Sequence, residues 1–171
     1  MPRIVLSAAI ATLLFLVERS LFGALPDPFP RTPLVLACGT YLVQHLDLRD
    51  GAAWIILSGL LSDVIGLTAP GAVLAGAVAA ATCLTLSRSV FTNRSLYGIV
   101  ACGACTMIAW AVTYASLLAI QGALAHAPSG WADPILGLPS TLVLGTVILA
   151  FLFRLAKRLR GALSSAIMLN R

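Results

Sequence analysis

Long apolar runs separated by short polar breaks organise this chain. The first run covers residues 4–25, with Glu18 and Arg19 near its far end, where long side chains can snorkel to an interface. Pro26, Pro28, Pro30 and Pro33 follow, and prolines that close together cannot continue a helix. A second, uncharged run covers residues 32–46, and Asp47, Arg49, Asp50 and Gly51 make a polar turn after it. The third run, residues 52–67, holds one charge, Asp63, and ends at Thr68, Ala69, Pro70 and Gly71. The fourth, residues 71–86, is rich in alanine and glycine. A polar loop from Arg88 to Arg94 leads to a fifth run within residues 96–124. Another loop carries His126, Pro128, Gly130, Trp131 and Asp133 before the sixth run, residues 135–153.

A helix needs about 20 residues to cross roughly 30 Å of hydrocarbon. The pattern therefore predicts an all-α, polytopic membrane protein: a single transmembrane domain over residues 1–171, built as a bundle of about six short transmembrane helices. The second and fourth runs are only 15 and 16 residues long, so five spans is the fallback. The fifth run exceeds one crossing and must tilt or protrude.

Composition removes the soluble alternative. The chain is 60% hydrophobic and 10% charged, with a mean hydropathy of +1.00. A soluble domain carries about 25% charged residues, and this chain cannot build such a surface. The first run reads as a retained helix, because cleavage after Ala24 would put bulky Phe22 where a signal peptidase wants a small residue.

Charge sets an orientation. With six spans, one side holds Arg3, Arg49, Arg88, Arg94, Arg154, Lys157, Arg158, Arg160 and Arg171, and the other holds Arg19 and Arg31. Basic residues collect on the cytoplasmic side, so both termini are expected there. Residues 154–171 read as a basic amphipathic tail that continues the sixth helix. It would anchor at an anionic leaflet or dock a partner.

Candidate chemistry is sparse. No polar stretch could house a soluble catalytic domain, and the chain lacks HExxH, GxSxG and GxxxxGK[ST]. The expectation is a non-enzyme with no catalytic, cofactor-binding or metal residues. Cys102 and Cys105 form a CxxC among small residues in an apolar run, and with Cys38 and Cys83 they read as packing residues. Gly71 with Ala75, and Gly76 with Ala80, have the four-residue spacing that lets helix backbones approach closely, here within the monomer rather than across a dimer. Asp63 is the only carboxylate well inside an apolar run. It is open to three readings: a structural cap or interhelical hydrogen bond, a partner or assembly contact, or an ion or substrate site.

Gly59, Leu60, Leu61 and Asp63, followed by a turn whose Gly71 opens an Ala/Gly-rich helix, form a pattern that resembles the rod-shape-determining protein MreD family. The likeness covers residues 30–95, with a proline-bounded entry from Pro30 to Leu36 and a basic turn bearing Arg88 and Arg94. At the second-run entry, family members often carry an acidic or amide residue, whereas this chain has Arg31, Thr32 and Pro33. The resemblance implies a non-catalytic scaffold of the bacterial elongation machinery (the elongasome) in the inner membrane. Its partner would be an MreC-like bitopic protein, and through it MreB filaments and peptidoglycan synthesis. That family's fold is similar to the S-components of energy-coupling-factor vitamin transporters, so the competing expectation is a substrate-binding subunit of a small-molecule transporter. Its outward pocket would draw on Trp131 and His126. No small-molecule ligand is expected on the scaffold reading.

Overall fold

The computed structural model of the chain describes residues 2–45, 48–66, 70–90, 95–126 and 130–168. Among these residues all regular structure is helical. Helix α1 (Pro2–Val17) passes into a single π-helical turn, Glu18–Phe22, and a 3-10 turn, Phe29–Arg31, closes the proline segment. Then come α2 (Leu34–His45), α3 (Leu48–Gly66), α4 (Ala72–Val90), α5 (Leu96–Ala125), the short α6 (Ala132–Leu136) and α7 (Leu138–Met168).

Among the described residues, four segments are long and apolar enough to cross a membrane: Val5–Phe22, Ala72–Val90, Leu96–Ala125 and Leu138–Arg158. The six runs of the sequence thus divide into four full-length helices and two weaker ones. Helix α2 has 12 residues and reaches only about 18 Å at 1.5 Å per residue. Helix α3 has the length but carries Arg49, Asp50 and Asp63. The sixth run is offset by a break at Gly137, which caps α6 before α7 begins. Helix α7 continues without interruption through the basic residues to Met168.

Burial separates inner from outer helices. The α4 and α5 spans are 33% and 39% buried, against 11% for those of α1 and α7. The inner pair packs through small residues. Ala72, Gly76, Ala77, Ala80, Ala81 and Leu84 are buried on α4, and Cys102, Gly103, Thr106, Met107, Ala111 and Ala115 on α5. With little apolar drive between helices in lipid, such close backbone approach supplies the van der Waals contact that holds a bundle. One core joins Val43, Ile55, Ala77, Ala80, Ala81, Leu84 and Cys102, and a second joins Ala37, Ile99, Met107 and Leu149. Helix α7 reaches the second core through two glycines: Leu149 packs where a Gly103 side chain would stand, and Met107 where one on Gly145 would.

Threonine hydroxyls inside these helices are satisfied locally. Thr40 donates to the Leu36 carbonyl, Thr106 to Cys102 and Thr12 to Ala8, each four residues back. Such bonds let hydroxyls sit in an apolar medium without an unpaired group. Across helices, the Trp54 indole N–H donates to Ser7 Oγ at 2.7 Å and ties α3 to α1. Cys102 is buried in the first core, and the Cys83 thiol donates to the Cys105 carbonyl at 3.6 Å.

Candidate functional site

The free N–H groups at a helix N-terminus need acceptors, and in an apolar surrounding water does not provide them. Two helices meet this need with carboxylates from the preceding helix or turn. Asp63, in the last turn of α3, accepts from the Val73 N–H (3.2 Å) and the Leu74 N–H (2.9 Å) in the first turn of α4. Glu18, at the start of the π turn, accepts from the Val35 N–H at 2.7 Å in the first turn of α2. At the Asp63 joint the carboxylate also faces the positive end of the α4 dipole.

The pattern Gly59, Leu60, Leu61, Asp63 and Gly71 resolves into one joint between α3 and α4. A side chain on Gly59 would lie 2.5 Å from the Ala77 Cβ and 3.2 Å from the Leu74 Cα, so glycine is what lets the two helices touch. Asp63 caps α4 one turn further along. Gly71 takes φ +83°, a left-handed conformation that favours glycine, in the turn between them. Leu60 is exposed on the outside of α3 and Leu61 is half-buried. Asp63 is therefore a helix cap in this structure. Glu18 does not reach outward for an interface: it turns into the bundle.

Both joints lie at the end of the bundle that carries the proline segment, the α3–α4 turn and α6. Two further ties cross this end. The Gln121 side-chain amide donates to the Pro70 carbonyl at 3.4 Å, linking α5 to the α3–α4 turn. Arg31 pairs with Asp27 at 3.6 Å and lies along Gly137, where a Cβ would come within 2.8 Å of Arg31 Nη1.

Between these ties the helices border a half-open cavity of about 790 Å³. Its long wall is one face of α5: Trp110, Tyr114, Leu118, Gln121 and Ala125. That face runs about 22 Å along the helix at 1.5 Å per residue. The Trp110 and Tyr114 rings stack at 5.3 Å with an interplanar angle of 25°. Trp110 leans on α4 at Gly76, where a Cβ would stand 3.1 Å from Trp110 Cδ1 and 3.2 Å from its Nε1. Apolar residues Val35, Leu36, Ile55 and Ala77 line the interior, and Ser58 and Ser62 add hydroxyls from α3. Glu18, Arg19, Arg31 and Asp133 bring charge to the lining. The Arg19 guanidinium donates to Ser62 Oγ at 3.3 Å and lies 5.8 Å from the centroid of the Phe15 ring.

The residues expected to build an outward pocket are not the ones that do. Trp131 is 48% exposed and His126 caps the end of α5 with φ 50°, and neither lines the cavity. Trp110, Tyr114 and Gln121 had a signal in the sequence, since spacings of four and seven place them on one helical face. Glu18 and Arg19 had none, because their roles depend on where α2 and α3 pack.

The basic residues expected on the cytoplasmic side are not among those lining this site. Arg154, Lys157 and Arg158 are exposed on α7, and Arg88 is half-buried in the last turn of α4. Arg160 falls within α7, in a stretch whose side chains are not described, and Arg94 lies outside the described residues.

Comparison of the chain with protein-family models, with curated proteins and with solved structures finds no match.

Proposed function

We propose that this chain is a non-catalytic membrane scaffold of the bacterial cell-elongation machinery, similar to MreD. It would cross the inner membrane six times, with α2 and α3 as its short or polar crossings and both termini in the cytoplasm. The observation that carries the reading is the joint formed by Gly59, Asp63 and Gly71. The residues behind the resemblance work together on one structural task, holding α3 against α4. A motif that fixes a fold suits a protein whose job is to present helix faces. The faces on offer are those of α1 (Val5, Leu6, Leu13, Leu16) and α7 (Val143, Val147, Phe151, Leu155), all exposed. Set in a bilayer, these faces meet lipid or the single helix of a bitopic partner. The nine-to-two split of basic residues supports the orientation.

The test is co-purification of the tagged chain with the MreC-like protein of the same genome. A stable complex is expected, and Asp63→Ala should weaken it and disturb cell shape while membrane insertion persists. Absence of a complex, with normal cell shape after deletion of the gene, would rule the scaffold out.

The cavity favours a second reading, a substrate-binding subunit of S-component type. Transport predicts a small molecule retained on purification and association with a coupling subunit and an ATPase. Recovery of those subunits in place of an MreC-like protein would decide for it.

A further inference from the structure

We propose that the cavity at the proline end is a binding site for a small amphiphilic acid, a molecule with one flat aromatic or heteroaromatic body and one carboxylate. This inference concerns the cavity alone: it deepens the transporter reading as a cargo site, and on the scaffold reading it would add a sensing site where the sequence leads to no ligand being expected.

Size comes first. A cavity of about 790 Å³ lies in the range of about 300–1,000 Å³ that encloses drug-sized ligands. The aromatic wall selects shape. The Trp110 and Tyr114 rings stack on each other, 25° from parallel, and both line the cavity, so a further planar ring can extend the stack. Gly76 lets Trp110 settle closely on α4: a Cβ there would stand 3.1 Å from Trp110 Cδ1, and the ring would have to give by a few tenths of an ångström. Offset stacking on these rings favours a planar ring over a branched or flexible chain.

The charged lining selects the sign. Of the two carboxylates, Glu18 is engaged by the Val35 N–H, so its role is to cap α2. Asp133 lines the cavity from the first turn of α6, beside Gly130 and Pro134. Of the two guanidiniums, Arg31 is paired with Asp27. Arg19 donates to Ser62 Oγ, lies beside the Phe15 ring and neighbours the Glu18 carboxylate in the chain, and it is in no ion pair with a carboxylate from another helix among the described residues; it stands between α1 and α3 beside the cavity. A guanidinium has five donors in a fork that matches a carboxylate, and one contact to Ser62 leaves most of them available. Asp133 in the lining disfavours a second negative group on the ligand. The apolar residues of the lining, Leu36, Ile55 and Ala77, take the remainder of the body. The serine hydroxyls of α3 and the Tyr114 hydroxyl can serve polar atoms on the ring.

The full chain in lipid nanodiscs should be tested by equilibrium dialysis against three probes, with empty nanodiscs correcting for partition into lipid. The probes are 2-naphthoate (flat and anionic), 2-naphthamide (flat and neutral) and octanoate (anionic and flexible). Saturable binding of 2-naphthoate is expected, with each of the other two at least about tenfold weaker, a difference of the size one good ionic or stacking contact gives. Arg19→Gln should abolish the preference for naphthoate over naphthamide, and Arg19→Lys should restore part of it. Trp110→Leu should abolish the preference for naphthoate over octanoate. Thermal unfolding of each variant separates lost binding from lost folding. No saturable binding of naphthoate to the wild-type chain would overturn the proposal. So would equal binding of naphthamide, or of octanoate, the latter marking a crevice for acyl chains. Arg19→Gln that folds and keeps the full preference would also overturn it.

Discussion

The α1–α2 and α3–α4 connections each bring a carboxylate to the N-terminus of the next helix, and they do so at different ranges. Asp63 reaches ten and eleven residues ahead and binds two N–H groups at the start of α4, just past Gly71 with its left-handed φ. Glu18 reaches seventeen residues ahead, over the whole proline segment, and binds one. The shorter joint is reinforced by backbone contact, since Gly59 lets α3 lie directly on α4. At the longer joint α1 and α2 touch more sparsely, and Phe15, Glu18, Val35 and Leu36 line the cavity there. A close joint makes the core of this bundle, and a wide one makes its opening.

The largest effect should therefore come from Asp63. In Asp63→Ala two N–H groups lose a charged acceptor at once, and a hydrogen bond to a charged group contributes about 1.5–3 kcal/mol. A loss of about 3 kcal/mol in unfolding free energy is expected, followed by reversible SDS unfolding in mixed micelles. Asp63→Asn, which keeps one acceptor oxygen, should lose about half as much. If both variants unfold as the wild type does, the cap is not what holds the α3–α4 joint.

Next in size is Gly59→Ala. The new methyl would meet Ala77 Cβ at 2.5 Å, closer than carbon atoms approach, and the neighbours include Leu74 and Val73 backbone atoms that cannot move aside. Overpacking of this kind costs about 1–3 kcal/mol. The same unfolding measurement should place it just below Asp63→Ala. A tolerated Gly59→Ala would mean that α3 and α4 can separate as freely as α1 and α2.

Glu18→Ala removes a single bond at the wide joint. Its expected cost is about 1.5 kcal/mol, about half that of Asp63→Ala. Because the joint borders the cavity, hydrogen exchange should rise at the Val35 amide while the α4 amides at Val73 and Leu74 stay protected. Glu18→Ala as costly as Asp63→Ala would erase the distinction between the two joints.

The two joints were not equally legible in the sequence. Asp63 stood alone in an apolar run five residues before a Pro-Gly turn, so a helix cap was among its natural readings. Gly59, Gly71 and the small residues of α4 carried the closeness of that joint in their spacing. Glu18 was one of a charged pair at a span end, and an outward, snorkelling position was the economical reading. Only the position of α2 turns it inward, and that position is set across a segment of prolines with no periodicity to read. The apolar runs likewise located the helices, while their division into four full-length spans and two weaker ones depended on where helices begin. Helix α2 starts after Pro33, which shortens it, and α3 starts early enough to include Arg49 and Asp50.

The smallest effect tests whether the joints act as one. Arg19 follows Glu18 in the chain and donates to Ser62, the residue before Asp63. This contact is the direct link between the two carboxylate caps. It is long at 3.3 Å, its acceptor is neutral, and Arg19 is exposed. A bond of that kind is worth about 0.5 kcal/mol, so Arg19→Ala alone should barely move the unfolding curve. The informative quantity is the coupling in a double-mutant cycle with Ser62→Ala, expected at about 0.5 kcal/mol. A coupling indistinguishable from zero would make the wide and close joints independent, and Arg19 would then be held at the cavity by Phe15 and its own helix alone. A measurable coupling would mean that whatever pulls Arg19 toward the cavity also loosens its hold beside Asp63. Occupancy of the cavity would then be felt at the joint that fixes the core.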